Sequence, residues 1–317
     1  MTLNERPLIT FALFSYNQER FIREAVKGAF SQTYTPLEII LSDDCSTDGT
    51  FSIMKEMVAE YEGPHSIILN RNKINMGLCR HFNHILARAA GEIIVGAAGD
   101  DISLPNRTKD SWEILHCNPD ATCVSFQSII IDTDGRPTKP EHMIKLKPCY
   151  KIYTIKDYLS MPGFHLNGAS RAFRKSVHTT FGPLHPMCGT EDSTTFLRCL
   201  MMGSAHTCDK VCIYYRVHGN NLSAGGNVHD FKLKPIFRQY IKDIKYACCV
   251  GILSDPLAKQ LKQKLKINFL RRRLEAAFYQ SNFSADFTLL KIIYSNAFTV
   301  KEKIHIIYTY FRKYFKK

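Results

Sequence analysis

The chain has 317 residues, 45% hydrophobic and 22% charged, which is enough apolar material for a sizeable buried core and excludes an intrinsically disordered chain. No apolar run approaches the roughly 20 residues that cross a bilayer, and Met1-Thr2-Leu3-Asn4-Glu5-Arg6-Pro7 lacks the apolar segment of a signal peptide, so a cytoplasmic location is expected. The formal charge of +13 is uneven: residues 227–317 carry 19 basic and 6 acidic side chains, while residues 1–226 balance.

In chain order, Leu8 to Phe14 reads as a buried strand, and Glu19 to Phe30 as a helix with Ile22, Ala25, Val26, Ala29 and Phe30 on one face. Leu37 to Leu41, Ser66 to Leu69 and Glu92 to Ala97 read as strands, separated by helices at Gly49 to Tyr61 and Leu78 to Ala89. This alternation predicts a parallel α/β sheet with helices on its faces. A helix over Asn106 to Cys117 leads into the apolar runs Thr122 to Phe126 and Ile129 to Ile131; Asp132 to Pro148, with its Asp134-Gly135 turn, reads as a hairpin or loop. The eleven cysteines form no Cys-x-x-Cys pair and read as reduced packing residues.

Acidic signatures stand where these runs end. Asp43-Asp44-Cys45-Ser46-Thr47-Asp48-Gly49-Thr50 closes one strand, Gly99-Asp100-Asp101 closes another, and Glu191-Asp192 opens a later helix. Aspartates at the carboxyl ends of parallel strands lie along the edge where such sheets bind ligands. Each group also suits a plainer role: Ser46, Thr47 and Asp48 can cap the helix near Gly49, Asp100 and Asp101 the helix after Ile102, and Glu191-Asp192 can face a helix dipole.

A longer ordered series carries a resemblance: Ser15-Tyr16-Asn17, Gln32-Thr33-Tyr34, Asp43-Asp44-x-Ser46-x-Asp48-Gly49-Thr50, Asn75-x-Gly77-Leu78, Ala90-Gly91-Glu92, Asp100-Asp101 and Pro105-x-Arg107, then Gly168-Ala169-x-Arg171, Glu191-Asp192 and Tyr215-Arg216-x-His218-x-x-Asn221-x-Ser223. In this order, over roughly residues 8–223, they resemble the family-two glycosyltransferases of GT-A fold. The resemblance implies a mostly parallel, Rossmann-like sheet with helices on both faces, a nucleotide-sugar donor and Mn²⁺ or Mg²⁺. Asp100 would be the main metal ligand, joined by His218 from the closing loop; a lone histidine after a strand is also a common packed or surface residue. The family motif commonly reads Asp-x-Asp-Asp, whereas this chain reads Ala98-Gly99-Asp100-Asp101.

By the same resemblance Asp44 would accept the uracil N3–H, with Phe14 and Tyr16 bordering the base. Glu19 is a further nucleotide-side candidate, though it and Asn17 are equally suited to capping the first helix. Asp192 would be the general base of an inverting transfer, which needs one carboxylate to take the acceptor proton. Glu191, His165, Asn167 and Gly168 would line the sugar or acceptor pocket. Arg80 and Arg107 are candidate phosphate partners, but the arginine that the family often places before the asparagine equivalent to Asn83 is here Phe82.

In the tail, Lys301 to Lys317 places Ile304, Ile307, Tyr308, Phe311, Tyr314 and Phe315 on one helical face amid lysines and arginines, the pattern of a helix lying on an anionic membrane. Leu257, Leu261, Leu265 and Leu274, interleaved with basic residues, form a second stripe. Both are also compatible with packing on the catalytic domain or on a second subunit in a homodimer. The expected organisation is a catalytic domain over residues 1–225 and a basic helical extension over 226–317. The expected enzyme is peripheral at the inner face of the cell membrane and transfers sugar from a UDP-sugar to a lipid-linked saccharide acceptor in surface polysaccharide biosynthesis. A nucleic-acid-binding protein would explain the charge, but no reader motif is present and no nucleic-acid partner is expected. A sugar-phosphate nucleotidyltransferase typically begins with a Gly-rich loop that Phe11 to Glu19 lacks.

Overall fold

The computed structural model describes residues 6–138, 150–161, 166–219, 221 and 233–279, with isolated positions 293, 294, 300, 303, 304, 307 and 308. The chain forms two compact units, Met1–Val228 and His229–Lys317.

The first unit opens with β1 (Ile9–Ser15), α1 (Ile22–Phe30), β2 (Leu37–Asp43), α2 (Thr50–Ala59), β3 (Ser66–Arg71), α3 (Leu78–Arg88) and β4 (Ile93–Ala98). β1 pairs in parallel with β2 on one side and β4 on the other, and β2 pairs in parallel with β3. The strand order is therefore 3-2-1-4. Because α1 and α2 carry the chain in one direction and α3 in the other, right-handed crossovers place them on opposite faces of the sheet. Phe11, Leu13, Ile39 and Leu41 pack with Val26, Ala29 and Met54 on the α1/α2 side. The mostly apolar, almost wholly buried sequences of β1 and β2 follow from burial on both faces.

The sheet continues through β8 (Ala172–Arg174), which is antiparallel to β4 and to β6 (Ala121–Ile131). β9 (Ser204–Arg216) lies parallel to β6, and its other edge is shared by β7 (Lys151–Tyr153) and β5 (Ile102–Ser103). The two apolar runs expected around 122–131 are one strand of 11 residues, with register shifts at Phe126, Gln127 and Ser128 absorbing the polar break. The remaining helices are α4 (Arg107–Cys117), α5 (Ile155–Ser160), α6 (Lys175–Phe181) and α7 (Asp192–Met202).

Strand order reverses between β1 and β4, so their carboxyl ends open a crevice at a topological switch point. Gly99 N–H donates to Phe14 O at 2.9 Å and Asp44 N–H to Ser15 O at 2.9 Å, which draws the loops after β4, β1 and β2 together there. The first helix starts at Ile22 rather than Glu19 because the preceding amides are diverted: Asn17 N–H donates to Ser46 Oγ, Gln18 N–H to Thr50 Oγ1 and Glu19 N–H to Asp48 Oδ2.

In the second unit, α8 (Leu233–Cys249) and α9 (Asp255–Tyr279) stack Phe237 on Phe269, centroids 4.8 Å apart. Leu261 and Leu265 are buried, which corrects the expectation that their stripe is free to meet a membrane. The Lys301–Lys317 stripe lies outside the described residues apart from Lys303, Ile304, Ile307 and Tyr308, of which Ile304 and Tyr308 are 61% and 63% exposed. Among the described residues no helix is long and apolar enough to cross a membrane.

The opposite end of the sheet explains the Ala90-Gly91-Glu92 signature. Buried Glu38 accepts from Thr10 Oγ1 at 2.6 Å and from Ala90 N–H at 3.0 Å, and Gly91 N–H donates to Thr10 Oγ1 at 2.9 Å. A Cβ at Gly91 would run into Ile9 and Thr10 backbone atoms, which have no freedom to give way inside β1. Gly91→Ala should therefore destabilise the catalytic unit by about 1–3 kcal/mol, the cost of overpacking a close-packed interior. The check is urea unfolding, in which the midpoint falls while the slope stays constant; an unchanged midpoint would refute the close-packing argument.

Candidate active site

The loop after β2 sorts its acids into different tasks. Asp43, fully buried, accepts from Ser46 N–H at 3.0 Å and from the Ser46 hydroxyl, with Arg71 Nε 3.5 Å away. Asp48 accepts from Thr50 N–H at 3.0 Å and from Glu19 N–H at 3.1 Å. Its carboxyl is held below the ordinary range by these hydrogen bonds, which outweigh the opposing effect of burial, the largest single influence. Glu19 Oε2 in turn accepts from Gly49 N–H at 2.7 Å, and Asn17 Oδ1 from Thr47 N–H at 2.9 Å. Both residues thus brace the start of α2, not the first helix that their sequence position suggested.

Asp44 is 3% exposed and points the other way. Its Oδ1 accepts from Asn72 Nδ2 at 2.7 Å and Met76 N–H at 2.9 Å, and its Oδ2 from Gly77 N–H at 2.9 Å. Gly77 has φ of +73°, a conformation that glycine adopts without strain. Asn72 is oriented from behind: Arg88 donates to Asn70 Oδ1 at 2.7 Å, and Asn70 Nδ2 donates to Asn72 Oδ1 at 3.1 Å and to Ser42 Oγ at 2.9 Å. Phe14, at the end of β1, meets His81 edge-on with centroids 5.3 Å apart and lies 5.8 Å from Phe82; Tyr16 beside it is exposed. Phe82, at the position where the family often has arginine, therefore backs the aromatic wall.

Beyond β4 the two neighbouring aspartates diverge. Asp101 Oδ1 accepts from Arg216 N–H at 2.9 Å. Burial, then the adjacent Asp100 charge, push the Asp101 carboxyl up to about 7. Asp100 Oδ2 lies 3.0 Å from His218 Nε2 and 3.5 Å from Asn221 Nδ2, and Asn221 Oδ1 accepts from His218 N–H at 2.5 Å. The His218 ring rests on Phe21, centroids 4.9 Å apart. Buried Arg216 locks this corner: it donates to Asp100 O at 2.9 Å, to Asp132 O and Thr133 O at 3.2 Å, and to Glu24 Oε2 at 2.6 Å.

One carboxylate and one imidazole converging from the segments after β4 and β9 suit a divalent cation that keeps waters and takes phosphate oxygens. Asp101 is turned away from that position, and among the described residues no group of three or more His, Cys, Asp and Glu gathers as a metal centre. The residues present fit a metal shared with a diphosphate and do not build an all-protein cage.

Asp192 is the first residue of α7, and its side chain is 41% exposed. Its Oδ1 accepts from Arg171 at 2.5 Å; the Asp192 and Leu166 carbonyls accept from the same guanidinium at 2.9 and 2.7 Å. A Cβ on Gly168 would strike the Asp192 carboxylate, so only glycine fits beneath it. Glu191, one residue earlier, has its carboxyl pushed up to about 7 by burial and then by Asp192. Asn167 is exposed; its Oδ1 accepts from Ala169 N–H at 3.0 Å and its Nδ2 reaches Ser128 Oγ at 3.4 Å. His165 lies outside the described residues.

The structure thus brings Asp100 to His218, sets Phe14 and Tyr16 at the end of β1, and mounts Asp192 over Gly168. Arg171 and Arg216 stood in the recognised motifs without a role, and their acidic partners Asp192 and Glu24 are 21 and 192 residues distant in sequence. Arg107 is fully buried, donating to Ser103 Oγ at 2.8 Å and to Gly96 O and Ala169 O at 2.5 and 2.8 Å, so it is a structural tie and not a phosphate partner.

Comparison with known proteins agrees with this architecture. The family model Glycosyl transferase family 2 matches residues 10–181, more than half of the chain. EpsE of Bacillus subtilis (strain 168), named as a glycosyltransferase, is 33% identical over 151 residues, covering 46% of this chain and 54% of its own length. WcaA of Escherichia coli (strain K12), named for colanic acid biosynthesis, is 31% identical over 105 residues, covering 33% of this chain and 37% of its own. The chain thus spans about half of the first relative and about a third of the second. Among solved structures, Staphylococcus aureus TarS 1–349 in complex with UDP-GlcNAc superposes with a TM-score of 0.63 at 15% identity, covering 90% of this chain and 78% of that one. The mannosyltransferase PcManGT from Pyrobaculum calidifontis, in complex with GDP-Man and Mn²⁺, gives 0.56 at 19% identity, covering 96% and 84%. The chain belongs to glycosyl transferase family 2 and has the GT-A fold.

Proposed function

We propose that this chain is an inverting glycosyltransferase that moves a sugar from a uridine diphosphate donor to a hydroxyl of a saccharide acceptor. Asp192 carries the proposal: an exposed carboxylate at the head of a helix, with Oδ1 tied to a buried arginine and Oδ2 without a protein partner among the described residues. As the acceptor oxygen bonds to the anomeric carbon, its proton passes to Asp192 Oδ2. The bond from that carbon to the phosphate oxygen breaks, and its electron pair leaves with the nucleoside diphosphate. One base and backside attack give inversion without a covalent enzyme intermediate.

Asp44 supports a uridine donor by the count of its acceptor positions. A carboxylate offers about four lone-pair sites, and Asn72, Met76 and Gly77 fill three. One site on Oδ2 remains, which matches the single imide N–H of uracil and falls short of the paired N–H groups on guanine. Phe14 and Tyr16 would border the base, while Glu19 holds the loop beneath it. A divalent ion held by Asp100 and His218 would neutralise charge developing on the diphosphate. Asn167, Gly168 and Glu191 face the same end of α7 and would receive the sugar or acceptor.

The nucleotidyltransferase alternative is disfavoured by the loop after β1. Its Asn17, Gln18 and Glu19 amides already donate to Ser46, Thr50 and Asp48, leaving no backbone cradle for a triphosphate. The name of WcaA, which refers to colanic acid biosynthesis, supports surface polysaccharide assembly as the setting, and the UDP-GlcNAc bound to TarS supports a uridine diphosphate donor. A lipid-linked acceptor would draw the enzyme to the inner face of the membrane, with the domain boundary near residue 225 separating catalysis from a basic anchor. Net charge of +13 within residues 227–317 and the exposed Ile304 and Tyr308 support that placement.

Three measurements check the proposal. In thermal unfolding, UDP with Mn²⁺ should raise the melting temperature more than UDP alone or GDP with Mn²⁺, because a ligand that binds the native state stabilises it. Asp100→Ala should remove the Mn²⁺ increment; equal shifts for GDP and UDP would overturn the uridine assignment, and indifference to Mn²⁺ the metal role. Asp192→Asn should keep UDP binding near wild type while turnover of the donor found by screening falls by about 10²-fold or more, as for loss of a general base; retained turnover would remove Asp192 from the chemistry. Finally, the protein should sediment with anionic vesicles at low salt and detach as salt rises, each engaged basic residue contributing about 1 kcal/mol. Indifference to vesicle charge would mean that the tail packs on protein instead, within the chain or in a homodimer.

A further inference from the structure

The proposed base is held by a buried arginine. Arg171 is 4% exposed, so its charge is almost wholly withdrawn from water. Burying a cation is costly unless it is paired and hydrogen-bonded. Its pairing runs to a single carboxylate, that of Asp192, at 2.5 Å. The same guanidinium donates to the Asp192 carbonyl and to Leu166 O, and its plane lies over the Phe196 ring of α7, 4.9 Å from the centroid. Arg171 Nε is buried without a hydrogen-bond partner. The guanidinium directs two of its three terminal contacts at one residue, Asp192. Against the same carboxylate, Gly168 supplies a face with no Cβ, and a Cβ there would run into Asp192 Cγ and Oδ2 and displace the group.

We propose that Arg171 is the positioning residue for Asp192, acting with the open face of Gly168 to fix the carboxylate with Oδ1 bound and Oδ2 presented to the acceptor hydroxyl. The proposal rests on Asp192 being the base. The ion pair stops rotation about the Asp192 side chain, so one oxygen is permanently engaged and the other carries the free lone pairs that take the proton. Asp192 opens α7 as its first residue and lacks a cap hydrogen bond from the Glu191 side chain, so the helix start alone does not orient it. Lysine at 171 would keep the charge but not the planar fork, of which one terminal nitrogen serves Asp192 and the other Leu166 O.

The test uses the full-length protein with Arg171→Met, Arg171→Lys, Gly168→Ala and Asp192→Asn, reading UDP binding by calorimetry together with kcat and KM for the donor selected by screening. Arg171→Met should lower kcat by about 10²-fold with UDP affinity and donor KM within about threefold of wild type, the size of effect that a small misplacement of a reacting group produces. Arg171→Lys should recover about tenfold of that loss, and Gly168→Ala should reproduce it. Near-normal kcat in Arg171→Met beside an inactive Asp192→Asn would overturn the positioning role and leave the base intact. An active Asp192→Asn would overturn the base assignment and this inference with it. Should Arg171→Met fail to fold, Arg171→Lys and Gly168→Ala decide: full kcat in both refutes the proposal.

Discussion

The buried guanidinium of Arg216 is the constraint on which the site depends. A sheet edge has no ladder to organise the loops that leave it, and the carbonyls and carboxylates buried there need donors that water does not supply. Arg216 supplies them from the end of β9, reaching the Asp100 carbonyl, the loop at Asp132 and Thr133, and Glu24 on α1, while its own N–H fixes Asp101. With Asp101 held inward, Asp100 is the carboxylate left facing His218. A lysine could not span these partners, because its three donors radiate from one point and the guanidinium's are spread across a plane.

Arg107 and Arg171 repeat the device elsewhere. Arg107 links Ser103, Gly96 and Ala169, joining the turn after β4 to the segment that carries Gly168; Arg171 ties Leu166 to the head of α7. Three buried cations thus fix three segments that carry candidate site residues. The loops remain free of secondary structure, as reactive surfaces usually are, yet each rests on a charge that cannot leave without exposing an unpaired group.

The donor side uses a different economy of contacts. Asp44 is oriented by an asparagine whose carboxamide is itself turned by Asn70 and Arg88, so the number of hydrogen bonds available to a ligand is set two residues away from it. The aromatic wall of Phe14, His81 and Phe82 supplies shape without adding polar demands. Burial holds His81, packed edge-on against Phe14, below the ordinary histidine range.

The sequence by itself determined the sheet and the order of the site. Buried, mostly apolar runs at 9–15, 37–43 and 93–98, alternating with helices, admit a parallel sheet buried on both faces, and Asp44 after the second run and Asp100 after the third fall on its carboxyl edge. Tertiary structure decided which acids are available. Asp43, Asp44 and Asp48 are alike in sequence, but Asp43 and Asp48 are consumed by local amides and hydroxyls, and Glu19 by Gly49, whereas Asp44 keeps an acceptor position. The pairing of Arg171 with Asp192 and of Arg216 with Glu24 was equally illegible, because a buried arginine and a solvated one are written with the same letter. The leucine stripe at 257–265 shows the same limit: an apolar face records that something covers it, and only the packed chain shows that Leu261 and Leu265 are covered by protein.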